Sequence, residues 1–518
     1  MRVLVAEPLG DAGLDLLRVE HEVDVRPGLA REAFLAALPA YDALVVRSQV
    51  QVDRAAFEAG RRLAVVGRAG VGVDNVDLEA ATEAGVVVVN APTGNTIAAA
   101  EHTLALLFAV ARRIAAADAS MRRGEWARTL FTGVELRGRT LGIVGLGKIG
   151  IALADRARAL EMTVVGHDPF VAAETAARHG VELLTLPDLL ARADALTVHV
   201  PLTRATRGRI GAAELAALPA GAIVLNVARG GIIDEAALAE ALTSGHLGGA
   251  GLDVFTTEPP AGSPLLTAPN TVLTPHLGAS TAEAQARVAV EVAQQVLDVL
   301  AGRPARHAVN GPVVPPETAE ALAPFVGLAR LLGELYAQVA EPQPELVFEV
   351  AGEVAGFEAA PLVAAALSGL LGVSTGGRVN QVNAPLLARQ RGLTMTEQRN
   401  PDAGRYASLL TLRGATTVAG TVASGEPRLV RLGEHWLDMA LSPSMLITRH
   451  HDRPGTIGAV GGILGAADIN ISGMHLARSS PRADAFMILA LDEPVPDAVA
   501  AELRRLDAVL DLWVVQLT

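Results

Sequence analysis

Continuous runs of β-branched residues alternate with Ala- and Leu-rich helical stretches through residues 1–300, and this alternation constrains the fold more than any other feature. The first runs fall at 3–5, 43–46, 63–66 and 86–89, with helical stretches at 11–19 and 31–38 between them. Short apolar runs without in/out alternation suit strands covered on both faces, as in a parallel sheet. A second series follows at 140–144, 163–167, 195–199, 222–226, 248–252 and 271–274. Six strands separated by helices predict a second doubly wound sheet, of the kind that binds ligands beyond its strand ends. Between the two series, Asn95 and Thr96 open a helical pattern running to about Met121, and either residue is placed to cap it. The helical stretch at 281–300 is expected to return to the first sheet, which makes that domain discontinuous. A Gly- and Pro-rich linker follows at 302–316.

The chain has 518 residues, and a prior of about 150 residues per domain gives three or four domains. Half the residues are hydrophobic and only 3% aromatic, so the cores are aliphatic. The net charge of -13 argues against non-specific nucleic-acid binding but leaves room for a local arginine cluster that holds a small anion. No cysteine is present, which excludes disulfides, thiolate nucleophiles and cysteine-based zinc sites; no metal is expected. The opening Met1-Arg-Val-Leu-Val-Ala-Glu-Pro is too short in its apolar part for a secretory signal, and no apolar run reaches spanning length. A soluble cytoplasmic protein with no membrane contact is the expectation.

Gly145-Leu-Gly-Lys-Ile-Gly150 directly follows the strand at 140–144 and opens a helix. Bare backbone at Gly145 and Gly147 lets a pyrophosphate approach N–H groups and the positive end of the helix dipole, while Gly150 permits close packing. Asp168 ends the next strand, where a carboxylate accepts both ribose hydroxyls and repels a 2′-phosphate, favouring NAD over NADP. Lys148 within the loop either touches phosphate or is simply solvated.

Three further strings each deliver one polar group at a later strand end: Asn226-Val-Ala-Arg229-Gly-Gly, Thr257-Glu258-Pro-Pro and Pro275-His276-Leu-Gly. A carboxylate beside an imidazole fixes its tautomer and prepares it to take or give a hydroxyl proton. A guanidinium clamps a carboxylate through two parallel bonds and polarises a neighbouring carbonyl. Any one of the three alone reads as structural. Together they supply what hydride transfer at a 2-hydroxy acid requires.

Those strings resemble the D-isomer-specific 2-hydroxyacid dehydrogenases over roughly residues 1–310. The resemblance implies a flavodoxin-like substrate domain at 1–97 and 282–314 with a Rossmann-type NAD-binding domain inserted at 98–281. It implies that Arg229 holds the substrate carboxylate, Glu258 supports the imidazole and His276 is the acid/base. Ile149, Val227, Asp253, His276 and Gly278 then lie along the cofactor, with Asp253 near its nicotinamide end. Val66-Gly-Arg68-Ala-Gly-Val-Gly-Val-Asp74-Asn-Val-Asp77 and Asn90-Ala-Pro-Thr-Gly-Asn95-Thr are most similar to the branch that oxidises D-3-phosphoglycerate to 3-phosphohydroxypyruvate, the first step of phosphorylated L-serine synthesis. A dianionic phosphate needs added cations. Arg47 and Arg68 close two strands of the first sheet and are the candidates, and Arg128 is placed to reach the same or a neighbouring subunit's cleft. Arg68 is equally compatible with unphosphorylated substrates. Asn95 donates to the substrate carboxylate, caps its helix, or does both.

Residues 317–443 carry no catalytic set, and Val379-Asn-Gln-Val-Asn-Ala-Pro-Leu-Leu387 resembles the intervening domain of the long form of that branch. Arg378, Arg389 and Arg391 read as surface charges rather than a second anion site. Residues 445–518 restart as a small α+β module similar to an ACT domain. That resemblance implies an L-serine effector site built from the turn His450-His451-Asp452-Arg453-Pro454-Gly455 and a partner's Asn470. His450, Asp452 and Asn470 are its expected contacts; a degenerate, purely structural module is the alternative. It also implies a homo-oligomer, dimer or tetramer, assembled through the nucleotide-binding and ACT domains. The rival functions are a dehydrogenase or reductase of another 2-hydroxy or 2-oxo acid such as 2-oxoglutarate, and a non-catalytic NAD(H)-sensing interaction protein.

Overall fold

The structure, a computed structural model, describes all residues except Pro304, Val313, Pro315 and Ser479, together with the side chains of Pro316 and Glu317. The expected linker at 302–316 therefore falls partly outside the described residues. Four sheets follow one another along the chain. The first comprises β1 (Arg2–Val5), β2 (Glu22–Val25), β3 (Ala43–Val46), β4 (Val65–Arg68) and β5 (Val87–Asn90). All its pairings are parallel and its order is β2-β1-β3-β4-β5, the flavodoxin-like winding. The edge strand β2 reads Glu-Val-Asp-Val and is half exposed, so it lacks the apolar run by which its neighbours are legible. The strand expected at 63–66 starts two residues later.

The helix Ala282–Leu300 lies on this first sheet. Its Val288, Val292 and Val296 share one core with Val3, Val5, Val45 and Val65. Each buried valine contributes about 1.5–3 kcal/mol over leaving it exposed, which ties this late helix to the first sheet. Gly67 makes the approach possible: a Cβ there would come within 2.7 Å of the Val292 side chain.

The second sheet comprises β6 (Thr140–Val144), β7 (Thr163–His167), β8 (Glu182–Leu183), β9 (Ala195–Val198), β10 (Ile223–Asn226), β11 (Gly249–Leu252) and β12 (Thr271–Leu273). Its order, β12-β11-β10-β9-β6-β7-β8, reverses between β6 and β9, which opens a crevice beyond their carboxyl ends. The sheet has seven strands rather than the expected six, because β8 is too short to register as a run. The long helix expected from Asn95–Thr96 to Met121 is two helices, Thr96–Ala111 and Ile114–Arg122. Arg113 stands at φ 53, and the Ala111 carbonyl accepts from Val134 N–H instead of continuing the helical ladder.

The third sheet has six strands, antiparallel except where Glu345–Gly352 meets Thr394–Asn400. Helices Pro316–Val339 and Ala360–Gly372 pack against one another beside it. The last sheet is antiparallel, in the order Ile471–Arg478, Asp484–Leu491, Ser444–His451, Val509–Gln516. Its Ile447, Ile488 and Val515 share a core with Leu328, Phe348 and Leu412 of the preceding module. The middle module also touches the first sheet. Arg378 Nη1 donates to the Leu63 carbonyl and Asn380 Nδ2 to the Gly85 carbonyl at 2.6 Å, so Arg378, exposed as expected, also ties the middle module to the first sheet. Among the described residues no helix is long and apolar enough to cross a membrane.

Candidate active site

The glycine-rich loop follows β6 and turns at Gly145, whose φ of 98 favours glycine. A Cβ on Gly145 would meet the His199 carbonyl at 2.6 Å, and one on Gly150 would meet the Gly145 carbonyl at 2.1 Å. Gly147 differs: no heavy atom lies within 4 Å of where its Cβ would stand, and it caps the N-terminus of helix Lys148–Ala159 without a side chain. Backbone N–H groups therefore face open space at the positive end of a twelve-residue helix, the setting a pyrophosphate requires. Lys148 is exposed beside it and Ile149 half-buried. At the end of β7, Asp168 accepts from Leu146 N–H and Phe170 N–H, both at 2.9 Å, which orients its carboxylate at the crevice rim. These residues fit an NAD molecule. His199, at the end of β9, has a buried Nδ1 without a hydrogen-bond partner among the described residues, and burial drops its pKa to about 4. Its ring is therefore neutral at physiological pH.

Two loops at neighbouring strand ends assemble the acid/base pair. His276 Nδ1 lies 2.8 Å from Glu258 Oε2, and the other Glu258 oxygen accepts from Phe255 N–H at 3.1 Å. Carrying its proton at Nδ1, the imidazole presents Nε2 outward, and its side chain is 42% exposed. His276 stands at φ 55, held by its N–H bond to the Asp253 carbonyl at 2.8 Å. The fully buried Asp253 side chain accepts from Leu277 N–H at 2.7 Å, Gly278 N–H at 2.8 Å and Thr274 Oγ1 at 2.6 Å. Burial pushes this carboxyl up, but bonds from His102, Thr274 and Leu277 outweigh it and hold Asp253 below the usual carboxylate range. Asp253 thus spends most of its bonding on the turn that carries His276. Val227 packs at the same place: a Cβ on Gly278 would touch its side chain at 3.0 Å.

The cations face this pair from both sheets. Buried Asn226 shapes the turn after β10, accepting from Ala228 N–H at 3.0 Å and donating to the Arg229 carbonyl at 2.8 Å. Gly230 is obligatory there, since a Cβ would stand 1.9 Å from the Phe255 carbonyl. Arg229 reaches across to the first sheet, where its Nε donates to Asp74 Oδ2 at 2.9 Å and its guanidinium lies over Gly72. Arg68, at the end of β4, lies over Gly70 in the same way, and its Nε is buried without a partner. Burial, reinforced by repulsion from Arg229 and Arg47, pulls the Arg68 pKa down to about 10. The loop bearing Arg47 is pinned from below. Glu7 accepts from the N–H groups of Arg47, Gln49 and Val50, and Asn75 donates to the Arg47 and Val50 carbonyls. The Arg47 guanidinium itself has no ion pair among the described residues.

Asn95 occupies the N-cap position but makes no capping bond, and its Oδ1 is buried and unpartnered. The expected cap is absent because ψ of 5 at Asn95 keeps it out of the extended backbone from which a cap accepts. Arg128 lies exposed in the short helix Arg128–Phe131 and bonds to none of these groups.

The C-terminal module departs further from expectation. His450 lies inside strand Ser444–His451 rather than in the turn, is 1% exposed, and contacts Thr448 Oγ1 at 3.2 Å. Burial lowers its pKa, so it is a core histidine within this chain and not an accessible contact. Asp452 does open the turn, but it accepts from Arg482 N–H at 3.0 Å and Arg478 Nη1 at 2.7 Å, which hold its carboxyl below the usual range. Asn470 bonds to Asp492 Oδ2 at 2.6 Å at the opposite end of the sheet from Asp452, an eight-residue strand away. At about 3.3 Å per residue, one chain does not bring the two together.

Sequence reasoning missed Glu7, Asn75, Asp74, His102, Thr274 and His199. All but the helical His102 lie in loops or at strand ends, and none sits in a pattern with its own period. Asp74 and Asn226 lay within strings already singled out, but their partners became visible only in three dimensions.

Residues 104–278 match the family described as the D-isomer specific 2-hydroxyacid dehydrogenase NAD binding domain, 321–433 the D-3-phosphoglycerate dehydrogenase intervening domain, and 444–508 the ACT domain. The chain is 42% identical to a D-3-phosphoglycerate dehydrogenase of Synechocystis, over 100% of this chain and 95% of that one. It is 41% identical to a D-3-phosphoglycerate dehydrogenase of Archaeoglobus fulgidus, over 100% of both. The solved structure of the TT0316 protein from Thermus thermophilus matches 60% of this chain and 100% of its own, with a TM-score of 0.56 and 40% identity.

Proposed function

This chain belongs to the D-3-phosphoglycerate dehydrogenase family, and from that premise we propose how its own residues carry the reaction. The enzyme is an NAD-dependent oxidoreductase that converts D-3-phosphoglycerate to 3-phosphohydroxypyruvate, the first step of phosphorylated serine synthesis, and it carries an ACT domain of the amino-acid-binding type. When bound along residues 145–150, NAD supplies the hydride acceptor. His276 Nε2 takes the proton of the substrate C2 hydroxyl as that carbon gives up its hydride and the carbonyl forms. The Glu258 carboxylate, 2.8 Å from Nδ1, stabilises the imidazolium that results. Arg229 holds the substrate carboxylate, displacing Asp74, and polarises the forming carbonyl. Arg47 and Arg68 hold the phosphate, with Asn95 offering its Nδ2 amide to the carboxylate.

The observation that carries this reading is the convergence of Arg47 and Arg229 on Arg68, each within Coulombic reach of it, while Arg68 remains without a hydrogen bond at Nε. Guanidiniums held together against their own repulsion are stabilised by an anion that bridges them. The finer reading also includes L-serine as effector, a cytoplasmic location and a homo-oligomer. Assembly is supported by exposed apolar side chains around the nucleotide-binding domain, Trp126 at 76% and Leu130 at 64% among them. Arg128, beside that patch, would serve a cleft only in the assembled protein. NADH fluorescence with D-3-phosphoglycerate, with and without L-serine, tests the proposal. Turnover that serine suppresses is expected; no turnover removes the catalytic reading, and turnover insensitive to serine removes the effector.

A further inference from the structure

One partly buried imidazole outside the cleft bears on the placement of His276. His102 lies in helix Thr96–Ala111, on the side facing the ends of β11 and β12. Its Nε2 is 3.0 Å from Thr274 Oγ1 and 3.2 Å from Asp253 Oδ1, and Thr274 Oγ1 donates onward to the same Asp253 oxygen at 2.6 Å. The Asp253 carboxylate has no solvent exposure. Besides Thr274 it meets the N–H groups of Leu277 and Gly278, and His102 is the one titratable side chain bonded to it among the described residues. A buried carboxylate is costly without a donor of that kind, and this carboxylate grips the turn just beyond His276 through the N–H groups of Leu277 and Gly278.

We infer that His102 is a positioning residue for the reaction: through Thr274 and Asp253 it fixes the 274–278 turn and so sets the reach of His276 Nε2. This rests on the assignment of His276 as acid/base. The geometry resembles the outer partners that orient ligating or reacting imidazoles, except that here the support runs through the backbone of the turn. Among the described residues, His102 bonds to none of the glycine-rich loop, so its loss falls on kcat more than on cofactor affinity.

The test compares His102→Phe, which keeps ring shape without a donor, with His102→Gln, which restores an N–H near the Nε2 position. His102→Phe is expected to lower kcat by about ten- to a hundredfold, the penalty of a slightly misplaced catalytic group. NADH affinity, measured by fluorescence, stays near that of the parent, the thermal midpoint falls because buried Asp253 loses a donor, and His102→Gln recovers most of the lost kcat and midpoint. Parental kcat in His102→Phe overturns the inference, as does a Gln variant as slow as the Phe variant. If His102→Phe does not fold, Thr274→Val deletes the relay hydroxyl and carries the same expectation. Undiminished turnover in His276→Ala would instead remove the reading of the site on which the inference rests.

Discussion

In the cleft between the first two sheets Arg47 and Arg229 stand within Coulombic reach of Arg68, with Asp74 bonded to Arg229, whereas at the mouth of the last sheet the charges have found opposites. There Asp452 is taken by Arg478, His451 by Asp484, and Arg449 by Asp484 and Asp511. The cleft leaves Arg68 Nε and Asn95 Oδ1 buried and unsatisfied, a cost a fold bears where a ligand completes the site. The C-terminal turn is satisfied within one chain. On the proposed reading, a ligand there displaces an existing bond or takes its remaining contacts, Asn470 among them, from another chain. The first site is prepared for its anion; the second is prepared for a change.

The most severe break in the comparison comes at the reacting group. His276→Ala is expected to lower kcat by about 10²- to 10⁴-fold, the worth of a positioned acid/base, with NADH binding retained. Steady-state kinetics beside NADH fluorescence checks it, and a comparable loss of NADH affinity would mean that the loop, not the proton, had been removed.

Arg68→Met probes the strain in the cleft. The folded pKa of about 10 lies below the ordinary guanidinium range, so the fold carries a burden while Arg68 is charged. That burden is fully present below pH 10 and is relieved as pH rises from about 10 toward the ordinary guanidinium range, where the unfolded chain holds the extra proton. Removing the charge should therefore raise the thermal midpoint of the ligand-free protein while abolishing most of the stabilisation that phosphoglycerate gives the parent. A lowered ligand-free midpoint would show Arg68 to be a structural cation.

The smallest effect is expected in the tail. Arg478→Ala frees Asp452 and should tighten the response to L-serine by up to about fivefold, the worth of a partly exposed ion pair, without altering kcat in its absence. Inhibition curves measure it. A weakened response would instead give Arg478 to the effector carboxylate.

Much of the fold was legible because parallel strands buried on both faces write themselves as apolar runs, which is why β6 and β7 fall where the runs at 140–144 and 163–167 do. What escaped was what lacks that signature: the half-exposed β2, the two-residue β8, and the break at Arg113, which a chain segment folding back from Val134 imposes. In the site, Arg229, Glu258 and His276 were readable because each closes or follows a strand of one sheet. Asp74, Glu7 and His102 were not, since their partners lie far along the chain: Asp74 meets Arg229 only where the two sheets face, Glu7 meets the Arg47 loop across the first sheet, and His102 meets Asp253 from a helix on the second. The tail shows the limit of resemblance: a motif placed His450 in a turn, and the strand simply ran two residues further.

The central claim, that the unpaired cations of the cleft exist for a phosphate, is tested most directly at Arg47. Its guanidinium is free among the described residues while its backbone is pinned by Glu7, so Arg47→Ala removes charge without disturbing the loop. The measurement is kcat/KM of the parent and the variant on D-3-phosphoglycerate and on D-glycerate, which lacks the phosphate. The account expects a loss of roughly ten- to a hundredfold on the phosphorylated substrate, the range of a lost charge-assisted bond, and little change on the other. Equal losses on both would contradict it.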